Sequence, residues 1–184
     1  MSSAEDDPIG FPDRQTVTPD GTPIAPCIDG VWLGSQVVHV DHRGRVFEVF
    51  TEANPYWDTP IVHSYVFTVR PGYVKGWGVH DHKADRYVCI TGEMLAVMYD
   101  GRADSPTHGL VQEVTMSASG VQMLRIPPGV WHADINVGTR ECVLMNHPTK
   151  PYDYEQPDRR TLPWNSPEIP VDLRAYLPMQ RGDA

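Results

Sequence analysis

The sequence predicts an all-β fold in which short antiparallel strands form a sandwich or a barrel. Eight segments are short and rich in β-branched or aromatic residues, and Gly, Pro, Asp or Asn separates most of them. They are residues 37–40, 45–50, 61–70, 86–91, 94–99, 110–116, 121–126 and 141–146. No segment sustains a helical period, although a short helix fits near residues 171–177. Many short strands between turns are typical of antiparallel sandwiches and barrels.

Two of these segments show a clean alternation of apolar and polar residues. They are RVFEVF at 45–50 and LVQEVTM at 110–116. Successive side chains on a strand point to opposite faces, so this alternation predicts strands with one exposed face.

Proline-rich segments on either side define the predicted organisation. Residues 1–30 contain five prolines and few large apolar side chains, which predicts an extended N-terminal arm. Residues 31–147 form the predicted barrel. Residues 148–184 are again rich in proline but keep Tyr and Trp side chains, so we expect a C-terminal tail that packs on the barrel or on a partner subunit.

Composition restricts the class of partner. The 184 residues suit one domain with a sizeable core. The formal net charge of −9 argues against a nucleic-acid backbone or an anionic membrane surface as a partner. A local basic patch for one anionic small molecule is compatible with this charge.

The cysteines and the N-terminal residues predict a cytoplasmic protein. Cys27, Cys89 and Cys142 are odd in number and widely spaced, which favours a reducing compartment over a disulfide scaffold. The first ten residues lack the basic and apolar regions of a secretory signal, and no apolar run approaches transmembrane length.

Two histidines one residue apart, His80 and His82, are candidate metal ligands. Residues i and i+2 of a strand share a face, so both imidazoles would point to one place. A rigid sheet that presents two imidazoles suits a first-row transition metal. The alternative is two surface or hydrogen-bonding histidines, since a lone His-x-His pair is not specific.

Two further residues extend this candidate site. If Lys83 and Ala84 form a turn, Asp85 opens the next strand and its carboxylate can face the histidines. His132 follows a Pro-Pro-Gly turn in IPPGVWHADIN. Three histidines and a carboxylate are a common ligand set for divalent Fe, Mn, Ni or Zn, with open positions for substrate. Alternatively, His132 starts a strand and hydrogen-bonds a backbone carbonyl.

These segments resemble the two motifs of the cupins. The first motif is Gly-x3-His-x-His-x2-Asp-x6-Gly, from Gly76 to Gly92, and the second is PPGVWHADIN. The resemblance implies an all-β cupin double-stranded β-helix, or jelly-roll barrel, with an extended N-terminal arm and a Pro-rich C-terminal tail. It also implies that His80, His82, Asp85 and His132 bind a metal inside the barrel. Asp85 stands where cupins usually have Glu.

Three other segments resemble one branch of the cupins, the dTDP-4-dehydrorhamnose 3,5-epimerase family. They are DHRGRVFEVF at 41–50, YDGRADSPTHG at 99–109 and RRTLPWNSPEIPVD at 159–172. Together the matches run in order from about residue 35 to residue 172. The resemblance implies an epimerase-like barrel, commonly a homodimer, that acts on nucleotide-activated deoxysugars.

The resemblance assigns roles to individual residues. Arg43 matches the arginine that contacts the nucleotide diphosphate, Glu48 matches an acid near the base, and Arg102 is a third substrate-binding candidate. Alternatively, Arg43 only holds a turn and Glu48 is an exposed strand acid. His80 matches the catalytic base that removes a proton beside the sugar ketone, a task that suits an imidazole.

Three positions depart from the family pattern. The general-acid tyrosine corresponds to Met145, a basic residue corresponds to Asp85, and an aspartate of the C-terminal motif corresponds to Ser166. Methionine cannot donate a proton. We therefore predict a metal-assisted epimerase or isomerase in which His80 and Asp85 are the catalytic candidates. The alternatives are a metal-dependent oxygenase, cyclase or lyase on a small non-nucleotide substrate, and a non-enzymatic binding cupin.

Overall fold

The computed structural model consists almost entirely of β-strands. It describes residues 15–20, 24, 26–54, 56–120 and 122–177. The elements found there are β1 Trp32–Ser35, β2 Val38–Asp41, β3 Gly44–Phe47, β4 Tyr65–Val69, β5 Val74–Val79, β6 Asp85–Thr91, β7 Glu93–Asp100, β8 Val111–Ser117, β9 Gln122–Ile126, β10 Val130–Asn136, β11 Cys142–Asn146, β12 Arg160–Thr161 and a 3-10 helix Leu173–Tyr176.

Two five-stranded antiparallel sheets form the barrel. Their strand orders are β1-β9-β6-β11-β4 and β12-β5-β10-β7-β8, and β2 and β3 form a separate ribbon. Every predicted strand segment contains or overlaps an observed strand. Four observed strands, β1, β5, β10 and β12, were not predicted from the sequence. β1 and β12 are short, β5 contains two glycines, and β10 directly follows a Pro-Pro-Gly turn, so their local patterns indicate a strand only weakly.

The barrel interior is apolar over most of its length and polar at one end. On β6 the side chains of Asp85, Tyr87 and Cys89 share one face because alternate residues of a strand point the same way. Tyr87 and Cys89 belong to a buried cluster with Met94, Met98, Met116, Leu124 and Leu144. Asp85 lies beyond this cluster, so the start of β6 carries the polar end of the barrel.

The C-terminal segment packs on the second sheet. Ile169 and Leu173 are buried in one cluster with Trp77 of β5, whose Nε1 donates to the Trp164 carbonyl at 3.1 Å. A Cβ at Gly76 would lie 2.7 Å from the Trp164 Cα, so this close approach requires glycine. The predicted short helix is the 3-10 helix, and the side chain of its N-cap, Asp172, accepts a hydrogen bond from the Arg174 N–H. The division at residues 30 and 147 stays a prediction, and residues 1–14 of the arm lie outside the described residues.

The ribbon of β2 and β3 pairs with neither sheet, although Val38 and Phe47 pack against a buried cluster of the barrel. The predicted strand at 45–50 ends early, at Phe47, and the side chains of Val40 and Val46 are 75% and 71% exposed. Arg45 ties the ribbon to the barrel through a 2.6 Å hydrogen bond from Nη2 to the Ile90 carbonyl. Among the described residues, no helix is long and apolar enough to cross a membrane.

Candidate active site

A cavity of about 390 Å³ opens at the polar end of the barrel. Its lining includes His80, Asp85 and His132, all of which are buried. The rest of the lining consists of Tyr and Lys side chains together with His63, Phe67, Asp134 and Arg159. The cavity therefore combines titratable groups with cationic and aromatic ones, which is typical of a site for a polar small molecule.

The three buried residues converge on one carboxylate oxygen. His80 Nε2 lies 3.3 Å and His132 Nε2 lies 3.6 Å from Oδ2 of Asp85. One ligand atom from each residue lies within 4.8 Å of the others. The structure thus brings the first histidine, the aspartate and the distant histidine together, and their roles in a site stay a prediction.

Strand ends place these side chains. His80 directly follows β5, Asp85 opens β6, and His132 lies on β10, where it pairs with Gly78 of β5. Residues 81 and 82 form a bend, and Lys83 and Ala84 do not form the predicted turn, although Asp85 does open β6. Neighbouring strands and one short connection therefore bring the three groups together.

Hydrogen bonds fix the orientation of all three groups. His80 Nδ1 bonds the backbone carbonyl of Asp158, and His132 Nδ1 faces the Val130 carbonyl at 3.3 Å. Asn146 Nδ2 donates to Asp85 Oδ1 at 2.7 Å. A ring nitrogen that donates to a carbonyl carries the proton, so in each neutral imidazole Nε2 presents a lone pair toward Asp85.

The local charges favour a further proton or cation within this cluster. Burial alone would raise the pKa of Asp85, but the neighbouring His80 and His132 and the hydrogen bond from Asn146 hold it below its usual value. Burial lowers the pKa of His132, which favours the neutral ring. An ionised carboxylate beside a neutral imidazole leaves acceptor atoms facing one another, and a proton or a cation between them would relieve this.

His82 does not join the cluster, which corrects the predicted four-ligand set. Its side chain is exposed, and its backbone N–H donates to Asp158 Oδ2 at 3.1 Å. Strand β5 ends at Val79, and residues 81 and 82 form a bend. The two-residue alternation on which the prediction rested applies only within a strand, so the second imidazole turns outward.

Arg43 and Glu48 lie away from the cavity of their own chain. Arg43 Nη2 pairs with Asp41 Oδ2 at 2.6 Å on the exposed ribbon, which is the turn-holding alternative that the sequence left open. Glu48 is exposed just after β3 and is absent from the cavity lining. Within this chain, neither residue contacts the predicted site, and their substrate-binding roles stay predictions.

Arg102 holds a loop and is absent from the cavity lining, and its substrate-binding role stays a prediction. Its guanidinium donates to Asp100 Oδ1 and Oδ2, at 2.8 Å each, and to the Asp29 carbonyl at 2.8 Å. Ser105 and Thr107 donate to the same carboxylate. The specific Asp-x-Arg-x-x-Ser-Pro-Thr string therefore forms a loop that satisfies its own buried acid.

One lining residue, Asp134, was not predicted from the sequence. It is buried in the cavity wall, its Oδ1 has no hydrogen-bond partner among the described residues, and Tyr87 OH lies 3.4 Å from its Oδ2. Burial raises the pKa of Asp134 to about 7. Asp134 stands two residues after His132 on β10, so strand alternation from the motif histidine would have pointed to it.

Met145 stands where the family pattern has a tyrosine, but its neighbour faces the site. Along β11 the residues Cys142, Leu144 and Asn146 are buried, whereas Met145 is only partly buried. Asn146 bonds Asp85 and also donates to Tyr65 OH at 2.8 Å. Tyr65 is therefore a phenol close to the cluster, and burial raises its pKa to about 12.

Known proteins share both this sequence pattern and this architecture. The family model for dTDP-4-dehydrorhamnose 3,5-epimerase matches residues 26–182. The probable low-salt glycan biosynthesis epimerase Agl13 of Haloferax volcanii is 34% identical over 83% of this chain and 98% of its own. The spore coat polysaccharide biosynthesis protein SpsL of Bacillus subtilis is 29% identical over 77% of this chain and 93% of its own.

A solved structure extends the similarity to three dimensions. The dTDP sugar isomerase of Desulfovibrio desulfuricans G20 superposes with a TM-score of 0.75 at 26% identity, covering 80% of this chain and 92% of that one. The predicted jelly-roll barrel and the predicted family resemblance are confirmed. The chain belongs to the dTDP-4-dehydrorhamnose 3,5-epimerase family.

Proposed function

We propose that the protein is an epimerase or isomerase of a nucleotide-activated keto-deoxysugar. The buried cluster of His80, Asp85 and His132 at the polar end of an epimerase-family barrel carries this proposal. Relatives named as epimerases support the reaction class. The mixture of cationic, aromatic and acidic groups around the cavity suits a sugar joined to a phosphate-bearing nucleotide.

The reaction requires removal of a proton beside a ketone and its return to the opposite face. His80 and Asp85 are the candidate proton carriers, because both line the cavity and their reacting atoms lie 3.3 Å apart. The Asp158 carbonyl fixes the His80 tautomer that leaves Nε2 free to accept a proton. Negative charge that develops on the ketone oxygen requires stabilisation inside the water-poor cavity.

The same cluster fits a divalent transition metal, which we include in the proposal, and His80 or Asp85 then carries a proton only where the metal does not bind it. Ligand atoms about 2.0–2.2 Å from such a metal lie roughly 3–3.5 Å from one another, close to the two distances at Asp85 Oδ2. Each of the three residues has the outer hydrogen bond that orients metal ligands, to Asp158, Val130 or Asn146. Two histidines and one carboxylate with open positions suit Fe and related metals, and such a metal would supply Lewis acidity.

We further propose that the protein is a cytoplasmic homodimer. Val40 and Val46 of the β2–β3 ribbon and the preceding Val37 are exposed, and the ribbon pairs with neither sheet of its own chain. A second copy that covers this apolar face would bury these valines, and it would carry Arg43 and Glu48 into an interface. The proposed cytoplasmic location is supported by the three free cysteines.

Solvent exchange tests the proposed reaction. The protein is incubated with dTDP-4-dehydro-6-deoxyglucose in D2O, and deuterium at the carbons beside the ketone is followed by NMR and mass spectrometry. Wild type should incorporate deuterium, and His80→Asn should slow this by roughly 10²–10⁴-fold. If no nucleotide sugar exchanges and none binds, the epimerase proposal is wrong, and metal-dependent chemistry on a non-nucleotide substrate replaces it.

Elemental analysis tests the proposed metal. Protein purified without an affinity tag or chelator should contain near-stoichiometric transition metal, which His132→Ala should lose and His82→Ala should retain. Substitution with Co²⁺ should give visible absorption that depends on Asp85. Full exchange activity in metal-free wild type, or loss of metal in His82→Ala, would contradict the three-ligand site.

A further inference from the structure

Lys83 is a buried cation with no ion pair to any residue that the structure describes. It lies in the connection between His80 and Asp85, and its side chain lines the cavity while the residue is only 5% exposed. No ion pair or hydrogen bond of its ammonium group occurs among the described residues, although Nζ lies 5.5 Å from the ring centroid of Tyr152. Burial of a charge without a counter-charge is costly, so this position indicates a missing anion.

Two further cations surround the same cavity without an ion pair. Lys75 and Arg159 both line it, and within the part of the chain that the structure describes neither side chain forms a salt bridge. Arg160, next in the chain, behaves differently and pairs with Asp81 at 2.6 Å. The cavity thus concentrates unneutralised positive charge in a protein whose formal net charge is −9.

The protein's own acids do not neutralise these cations. Asp85 faces the two imidazoles with one oxygen and accepts a hydrogen bond from Asn146 with the other. Asp134 also lines the cavity, but among the described residues it forms no ion pair with Lys75, Lys83 or Arg159, and its Oδ1 accepts no hydrogen bond. The three cations therefore remain available to an anion that enters the cavity.

We propose that Lys83, assisted by Arg159, binds the anionic group of the ligand within the cavity of its own chain. This inference rests on the proposed function and names an anion subsite that does not depend on Arg43 of the ribbon. The group is a phosphate or a carboxylate, since both accept charge-assisted hydrogen bonds from lysine and arginine. A nucleotide diphosphate and a carboxylate on a sugar ring share this chemistry.

Calorimetric titration with dTDP tests the subsite. Lys83→Met should weaken dTDP binding by at least about 10-fold, the effect of losing one charge-assisted hydrogen bond. Lys150→Met is the matched control, because Lys150 is exposed and absent from the cavity lining, and it should bind as wild type does. Unchanged binding in Lys83→Met would overturn the proposal, as would a loss that Arg43→Ala produces and Lys83→Met does not.

Thermal unfolding separates binding from a structural role. Removal of an unpaired buried charge should leave the melting temperature of unliganded Lys83→Met equal to or above that of wild type. The upward shift that dTDP causes in wild type should shrink in the variant. A lowered melting temperature with a full dTDP shift would mean that Lys83 only supports the fold, which overturns the proposal.

Two further probes distinguish the sources of the anion. Thymidine lacks phosphates, so its binding should not depend on Lys83. Galacturonate carries only a carboxylate, so its binding would indicate a sugar-acid ligand. Lys83-dependent binding of galacturonate without dTDP binding would retain the subsite and contradict the nucleotide substrate. If dTDP binding depends on Lys83 but no keto-sugar exchanges deuterium, the subsite is retained and the proposed epimerase function is wrong. If wild type binds neither dTDP nor galacturonate, the subsite itself is wrong.

Discussion

Two buried aspartates near strand ends, Asp85 and Asp100, have opposite surroundings. Asp100 ends β7 with 0% exposure, and its carboxylate accepts hydrogen bonds from Arg102, Ser105 and Thr107. Asp85 opens β6 with 2% exposure and receives one amide hydrogen bond, from Asn146, while two imidazole nitrogens face its other oxygen.

The contrast distinguishes an aspartate that stabilises the fold from an aspartate that can take part in a reaction. Every partner of Asp100 lies within its own ten-residue loop, so the loop folds around the charge and leaves it nothing further to bind. The partners of Asp85 come from three other strands or their ends, and its lone pairs face the cavity. Burial and a specific sequence motif are common to both, and only the pattern of donors distinguishes them.

The largest expected effect tests the chemical side of the comparison. Asp85→Asn keeps the shape and the oxygen that Asn146 contacts, but removes the charge between the two imidazoles. Deuterium incorporation into the keto-sugar should fall by roughly 10²–10⁴-fold, with a small change in melting temperature. An Asp85→Asn variant that exchanges deuterium at the wild-type rate would place the chemistry elsewhere.

Asp100→Ala should show the reverse pattern. It leaves a guanidinium and two hydroxyls without their acceptor in a buried loop, which should cost about 3–5 kcal/mol of unfolding free energy. For a chain of this size the melting temperature should fall by roughly 6–20 °C. Exchange at a temperature where the variant is folded should remain near wild type, and a selective loss of exchange would contradict the structural role.

The two arginines sharpen the same contrast. Arg102→Met should lower the melting temperature because it removes donors from Asp100, at a cost of about 1–3 kcal/mol. Arg159→Met should instead weaken dTDP binding with little effect on unfolding, because no hydrogen bond of its guanidinium occurs among the described residues. Melting curves and dTDP titrations of the two variants measure these effects. If both variants showed the same melting temperature and the same dTDP affinity, the two arginines would not differ in role.

Acid should weaken the Asp100 loop in a defined direction. Burial alone would raise the pKa of Asp100, but hydrogen bonds from Arg102, Ser105 and Thr107 hold it well below the ordinary value of 3.8. Because the folded pKa is lower than the unfolded one, this stabilisation is present above pH 3.8 and is lost as the pH falls through the folded pKa. Denaturant titrations should therefore show a wild-type advantage over Asp100→Asn that is constant from about pH 7 to about pH 5 and shrinks in stronger acid.

The smallest expected effect concerns His82. Its imidazole is exposed and lies outside the cluster, so His82→Ala should leave exchange, melting temperature and metal content unchanged. The same three measurements on His80→Ala provide the contrast. A deficit in His82→Ala comparable to that of His80→Ala would restore the four-ligand set that the sequence predicted.

Strand positions and the family were accessible from the sequence because they depend on local patterns. The turn signals between β-branched segments located most strands, and the motif around His132 located the residue that meets Asp85. The position of His82 was not accessible, since alternation holds only while a strand continues and β5 ends at Val79. Nor was the role of Arg102, because a binding arginine and a loop-holding arginine have the same local sequence.

The cationic wall of the cavity was hidden for a different reason. Lys75, Lys83 and Arg159 lie on β5, on the following connection and on the C-terminal segment, and no spacing rule relates them. Only the closure of the barrel shows that Lys83 is buried without a counter-charge. Long-range assembly of this kind has no period that a single sequence can display.

The most direct measurement compares Asp85→Asn with Asp100→Asn under one set of conditions. Deuterium incorporation into dTDP-4-dehydro-6-deoxyglucose is followed at a temperature where both variants are folded, beside their melting curves. We expect Asp85→Asn to lose exchange and keep its melting temperature, and Asp100→Asn to keep exchange and melt earlier. Full exchange in Asp85→Asn, or loss of exchange in folded Asp100→Asn, would contradict the assignment of the buried cluster as the reacting site.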